Sequence, residues 1–363
     1  MRRRVPRCVG GVRERLADGL RGRVDGRADR EVDDAVLDPV PSVVRAALTA
    51  ASDSPGYPFT AGTPQLREAV SAWAATTLRA EVAPSAVLPV VGTKELVALL
   101  PLPLGLGPSD RVVIPELAYP TYDVGAKVVG AQVVAADSTV QLGPERVSLV
   151  WVNSPSNPTG KVLGVEHLAK VVEWARSRGA IVVSDECYLE LGWEAEPVSV
   201  LDPRVCGGSH EGVLAVHSLS KRSNLAGYRA GFVLGDPALV GSLLEARKNL
   251  GLMVPQPVQA AAIAALGDTD HVAVQKERYG RRRDHLLSAF LDAGFSVEHS
   301  EAGLYLWLTR GEGCWDTVSW LAERGILVAP GDFYGARGAQ HVRVALTATD
   351  ERVASAVRRL SGA

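Results

Sequence analysis

Lysine is scarce in this chain of 363 residues. Only seven of its 39 basic residues are lysines, at positions 94, 127, 161, 170, 221, 248 and 276. Arginine carries the generic positive charge, so each lysine is correspondingly informative. The four cysteines, Cys8, Cys187, Cys206 and Cys314, include no CxxC pair and no His/Cys cluster at metal-ligand spacing. A zinc module and a disulfide framework are therefore excluded as organising devices, no metal is expected, and a reducing cytoplasmic setting is. No apolar run approaches the roughly 18 to 20 residues that span a bilayer. A net charge of -2 leaves no electrostatic footprint for nucleic acid or an anionic membrane. A dinucleotide-binding turn is missing too: the nearest glycine-rich candidate, Gly105-Leu106-Gly107, follows a predicted helix instead of a strand. That argues against a nicotinamide dehydrogenase.

What the chain does have is 47% hydrophobic residues, enough for two domains and a large core. The first 30 residues differ in kind, with ten arginines, no lysine and no apolar periodicity. No continuous apolar stretch follows the arginines, so a secretory signal is not indicated, and the acidic residues Glu14, Asp18, Asp25 and Asp29 argue against a transit peptide. Residues 1–34 read as an irregular Arg-rich segment. Its composition is that of a poorly ordered tail, and the abrupt break also suggests a shifted reading frame or a misassigned start.

From about residue 87, short β-branched runs alternate with helical patterns, which predicts a mostly parallel sheet covered on both faces. The runs are 87–91, 111–115, 131–136, 147–152, 180–184, 212–217 and 230–234. Predicted helices lie at 94–104, 119–129 and 165–178, the last with Leu168, Val171, Val172 and Ala175 on one face. After residue 250 a helical stretch over 257–293 leads to apolar runs at 303–308, 325–329 and 341–346 and to a terminal helix from Asp350. The expected fold is a three-layer α/β/α domain with a seven-stranded sheet over 51–250. A smaller α+β domain is built from 35–50 and 251–363.

In such a sheet ligands bind beyond the carboxyl ends of the strands. Gly92-Thr93-Lys94 follows the first run, Asn157 the fourth, Asp185 the fifth, and Ser218 to Lys221 the sixth. Lys221 is flanked by hydroxyls and by Arg222 and Arg229, cations that favour the neutral amine an imine requires. It reads as a Schiff-base lysine for a phosphorylated aldehyde. Backbone N–H groups at the helix start, Thr93, Ser218, Ser220 and Arg229 suit a phosphate dianion, although Thr93 is equally suited to capping a helix. Asp185 ends an apolar strand, where a carboxylate is costly unless paired; a pyridinium nitrogen would pair it, and a turn or cap role is the alternative. Tyr188 and Asn157 could donate to the phenolic oxygen of the same ring, although Asn157 also lies in a turn-rich stretch.

These residues resemble the fold-type I, class I and II aminotransferases, which use pyridoxal 5'-phosphate. The likeness runs from about Pro39 to the C-terminus. It rests on the segments beginning Tyr57-Pro58-Phe59, Gly92-Thr93-Lys94-Glu95, Tyr119-Pro120, Asn157-Pro158-Thr159-Gly160 and Asp185-Glu186-Cys187-Tyr188, on Ser218 to Gly231, and on Val342-Arg343-Val344-Ala345. It implies that Lys221 holds the cofactor and then moves the substrate α-proton, that Tyr119 stacks on the ring, and that Arg343 grips the substrate carboxylate. It implies that Tyr57 reaches the phosphate of a neighbouring subunit, hence a homodimer with shared sites acting on amino acids and 2-oxo acids. Within the family the stretch around Lys221 looks most like N-succinyldiaminopimelate aminotransferases, with glutamate and 2-oxoglutarate as the other couple, placing the chain in lysine biosynthesis. The alternatives are an aminotransferase for aspartate or aromatic amino acids, a β-lyase or decarboxylase, and a non-catalytic regulator that binds the cofactor. One departure is visible: the apolar Gly-x-Pro segment usual before the equivalent of Asp38-Pro39 is replaced by Arg-rich text.

Overall fold

A computed structural model describes residues 38–362. The Arg-rich segment 1–34 and the readings of its origin lie outside the described residues. The seven runs all become strands: β1 Val87–Val91, β2 Arg111–Ile114, β3 Gln132–Ala135, β4 Leu149–Asn153, β5 Ile181–Asp185, β6 Val213–Ser218 and β7 Ala230–Gly235. They form one sheet in the order β1-β7-β6-β5-β4-β2-β3. Pro89, which has no N–H to give a ladder, sits in β1 at a sheet edge where that loss is tolerated. The interior strands β4, β6 and β7 are buried throughout, which is why they read as continuous apolar runs. Alternation along β4 sends Val150 and Val152 into one core and Leu149 and Trp151 into the other, so helices cover both faces.

The sheet is mostly parallel, as expected, but β7 runs antiparallel to both of its neighbours, β6 and β1. The connection from Leu219 to Arg229 is shorter than the dozen or more residues a parallel crossover needs. Two predicted helices are shorter than read, at Thr93–Leu99 and Thr121–Val128. Pro101 and Pro103 prevent the first from continuing, and Pro120 sets the start of the second. The helix Val165–Arg176 buries Leu168, Val171, Val172 and Ala175 on the anticipated face.

The stretch 257–293 divides into two helices, Gln256–Gly267 and Asp270–Asp292. Val44 of the helix Ser42–Ala50 and Val258, Ala261 and Ala265 of Gln256–Gly267 share a buried cluster with Phe232 of β7. A second, antiparallel sheet has the order β10-β11-β9-β8, with β8 Ser296–Val297, β9 Tyr305–Thr309, β10 Ala329–Pro330 and β11 His341–Ala345. The brief β8 was not anticipated. Its core is closed by the helices Cys314–Glu323 and Asp350–Leu360, through Leu321 and Val353. Among the described residues no helix is long and apolar enough to cross a membrane, and no cluster of His, Cys, Asp and Glu could hold a metal.

The segment before Ser42 is tied down by charge. Arg282 grips both oxygens of Asp38 at 2.8 Å, while Gln275 donates to Asp38 at 2.8 Å and Asn224 donates to the Pro39 carbonyl at 3.1 Å. Burial pushes the Asp38 carboxyl up, but the hydrogen bonds from Arg282 and Gln275, with the Arg282 and Arg278 charges, outweigh it and hold it below its ordinary 3.8. A depressed folded pKa means that the stabilisation is complete above the unfolded value and disappears as pH falls through the folded one. Asp38→Asn removes one of the two carboxylates on the buried Arg282, which keeps Asp350 at 2.5 Å, and should cost about 2 kcal/mol in denaturant unfolding near pH 7. The gap to the parent protein should close below about pH 4. An equal unfolding midpoint at neutral pH would show that the clamp carries no stability.

Candidate active site

Strands β1, β2, β4, β5 and β6 point the same way, so their carboxyl ends share one rim. The reversed β7 brings its amino end to that rim, which is how Arg229, just before Ala230, joins loops that follow the other strands. A cavity of about 160 Å³ opens there. It is lined by Thr93, Lys94, Tyr119, Asn157, Asp185, Tyr188, Ser218, Ser220, Lys221 and Arg229, all anticipated from sequence, and by Tyr122, Asn153 and Cys187, which were not.

Asp185 lies at the end of β5 with 7% of its surface exposed. Tyr122 donates to its Oδ2 at 2.8 Å and the Cys187 amide to its Oδ1 at 3.3 Å, and both donors are uncharged. Burial pushes the Asp185 carboxyl above its ordinary value, against the pull of those hydrogen bonds. The Tyr122 hydroxyl is itself pushed well up, by burial and then by the Asp185 charge, and the Cys187 thiol likewise. Both therefore remain protonated donors. The Asp185 main chain is fixed as well: Asn153 Nδ2 donates to its carbonyl at 2.9 Å, while Asn153 Oδ1 accepts from the Asn157 amide at 2.7 Å.

On the other side of the cavity, Ser218 caps the short helix Leu219–Arg222 by accepting from the Ser220 amide at 3.1 Å, and that helix carries Lys221. Arg222, buried, donates to Glu190 at 2.5 Å and to the Ala265 carbonyl at 3.0 Å, so it is a structural anchor. Arg229 donates to the Ala226 carbonyl at 2.7 Å from a left-handed conformation, with φ of 55°. Its guanidinium lies so close to Gly92 that a Cβ there would fall 2.2 Å from Nη2. Gly92 itself has φ 74° and ψ 153°, a region open in practice to glycine alone. The helix it introduces is held from outside by Arg247, which forks onto Glu95 at 2.8 and 2.9 Å. Lys94 sits 5.9 Å from the Tyr119 ring, and burial pushes the Tyr119 hydroxyl up.

Arg343 does not line the cavity. It stands behind Asn157, donating to Oδ1 at 2.8 Å, with its guanidinium 4.0 Å from the centre of the Tyr305 ring and 5.1 Å from that of Tyr334. With its oxygen so engaged, the Asn157 amide nitrogen is the group left to donate. Tyr57 is away from the cavity and 95% exposed. Neither Tyr122 nor Cys187 carried a local signal: Tyr119 precedes the helix Thr121–Val128, so Tyr122 shares no helical face with it.

These residues fit a phosphorylated pyridine aldehyde. A buried carboxylate with uncharged donors suits a cationic ring nitrogen, Lys221, set between Ser220 and the Ser218 cap, suits an aldehyde, and Thr93, Ser218, Ser220 and Arg229 form a hydroxyl and guanidinium set for a phosphate. Fold and site together define an enzyme that depends on pyridoxal 5'-phosphate. The chain belongs to the class I and II aminotransferases, whose family model, "Aminotransferase class I and II", matches residues 31–360.

Among its relatives is "Probable aminotransferase Rv1178" of Mycobacterium tuberculosis, 64% identical over 93% of this chain and 81% of its own length. Another is "4-dedimethylamino-4-oxo-anhydrotetracycline transaminase OxyQ" of Streptomyces rimosus, 61% identical over 90% of each. Among solved structures, N-succinyldiaminopimelate aminotransferase from Mycobacterium tuberculosis superposes with a TM-score of 0.83 at 25% identity, over 91% of this chain and 92% of the other.

Gly92→Ala should weaken cofactor binding by about tenfold or more, because the added methyl both strains the backbone and displaces Arg229. Titration of the cofactor-free protein, followed by protein fluorescence, measures this. An unchanged dissociation constant would mean that Arg229 does not need its present position.

Proposed function

We propose that this aminotransferase exchanges an amino group between glutamate/2-oxoglutarate and N-succinyl-LL-2,6-diaminopimelate, with residue roles as follows. The Lys221 amine binds the carbonyl of the cofactor and moves the proton at the substrate α-carbon. Asp185 holds the proton on the ring nitrogen, and Asn157 and Tyr188 donate to the phenolic oxygen. Tyr119 stacks on the ring. Gly92, Thr93, Lys94, Ser218, Ser220 and Arg229 bind the phosphate. Pyridoxal 5'-phosphate, when bound, supplies the electron sink that stabilises negative charge developing at the substrate carbon.

The observation that carries the substrate class is the Arg343 to Asn157 contact of 2.8 Å. It supports reading Arg343 as a planar, two-point carboxylate receptor beside Asn157, as an α-amino acid requires. The diaminopimelate reading is supported by the sequence around Lys221 and by the structural likeness to the N-succinyldiaminopimelate enzyme. A second reading, amination of a polycyclic ketone, is favoured by the 61% identity to the tetracycline transaminase. Tyr57, with Phe59 beside it at 71% exposure, supports a homodimer in which each tyrosine reaches the partner's phosphate site. We place the enzyme in the cytoplasm, the reducing setting to which its cysteine usage is suited.

Lys221→Ala should abolish the visible absorbance of the lysine-bound cofactor and lower turnover by at least about 10³-fold. A variant retaining both would refute the role of Lys221. For the substrate, glutamate plus N-succinyl-2-amino-6-oxopimelate should release 2-oxoglutarate. Release with a 4-oxo-anhydrotetracycline and not with the pimelate would select the second reading.

A further inference from the structure

One buried side chain touches both halves of the site and has no role in the scheme above. Tyr305 opens β9 with 2% of its surface exposed. Its hydroxyl lies 2.9 Å from the Tyr188 hydroxyl, the rings meet edge to face at 5.6 Å, and the Arg343 guanidinium lies 4.0 Å from the centre of its ring. Tyr188 lines the cavity, and Arg343 is the carboxylate receptor proposed above. Strand register adds that Tyr305 pairs with Ala345, two residues beyond Arg343 on β11, so it is held to the receptor strand by the sheet itself.

Either hydroxyl of the pair could be the donor on geometry alone. Proton counting decides. A phenol has one proton. If Tyr188 gives its proton to the phenolic oxygen of the cofactor, it can only accept from Tyr305, and Tyr305 must then donate. A donor that is itself a hydrogen-bond acceptor is polarised and strengthened, and a cation over the Tyr305 ring adds to this by favouring negative charge on its oxygen.

From this we propose that Tyr305 is a positioning residue. It donates to Tyr188, fixes the Tyr188 proton toward the cofactor oxygen, and makes the strength of that donation depend on the charge state around Arg343. Substrate carboxylate at Arg343 partly neutralises the cation over the Tyr305 ring and so relaxes the donor pair. The inference rests on the proposed roles of Tyr188 and Arg343.

The test uses the cofactor-loaded protein and reads the pH midpoint of its visible band. Donation from Tyr188 favours the deprotonated form of the chromophore, so losing it raises the midpoint. Tyr305→Phe keeps the ring and its contacts and removes only the hydroxyl. Lys94, Tyr119, Asp185, Cys187, Lys221 and Arg229, which share the cavity with Tyr188, and Arg343 across the ring are all unchanged by it. The midpoint should rise by about half a pH unit. In a Tyr188→Phe background the same substitution should add nothing, because its effect passes through Tyr188. An unmoved midpoint in Tyr305→Phe, or an equal rise with Tyr188 already replaced, overturns the inference. If Tyr188→Phe itself leaves the midpoint unmoved, the cofactor-side role of Tyr188 fails, and the inference with it.

Discussion

A carboxylate buried at the end of a parallel strand is costly to keep, and the arrangement around Asp185 answers that cost. Nothing in the strand itself can offset it, since β5 is apolar up to Ser184. The offset comes from elsewhere in the chain: a hydroxyl from the helix after β2, the next amide but one in its own loop, and Asn153 of the neighbouring strand fixing its carbonyl. These donors are neutral, so burial still dominates and the carboxyl stays above its ordinary value. A site in that condition gains most from a cation, which is what a protonated pyridine brings.

The rest of the rim is built to keep its loops where that cation would lie. Two buried forks do so from behind, Arg247 on Glu95 under the helix that follows Gly92, and Arg222 on Glu190 beside the helix that carries Lys221. Each arginine is desolvated and matched by a carboxylate, and neither faces the cavity. Arg229 approaches the cavity while Arg222, seven residues earlier, turns away to anchor the backbone. Arg343 is joined to both Asn157 and Tyr188, to the first directly and to the second through the Tyr305 ring.

The strands were legible because each interior strand is buried on both faces, and a run such as Val213 to Ser218 has no other way to satisfy that burial. The convergence of Gly92, Asn157, Asp185 and Lys221 was legible for a related reason: parallel topology puts every strand-to-helix loop on one side. The break between the helices Gln256–Gly267 and Asp270–Asp292 was hidden, because both halves carry helical patterns and Gly267 alone does not stop a helix. Tyr122, Cys187 and Tyr305 stayed hidden because their partners lie 63, 94 and 117 positions away in the chain.

Local chemistry was therefore enough to read which residue types stand at the strand ends, which loops carry hydroxyls and an arginine suited to a phosphate, and which lysine stands among hydroxyls and arginines. Those features depend on neighbours within a few positions, where spacing and propensity act directly. Direction and depth were decided only by the folded chain. The reversal of β7 that delivers Arg229, the stacking of Arg343 behind Asn157, and the hydroxyl pair of Tyr188 and Tyr305 each join segments whose separation no periodicity encodes. They exist because two cores, formed by distant parts of the chain, close against each other at one rim.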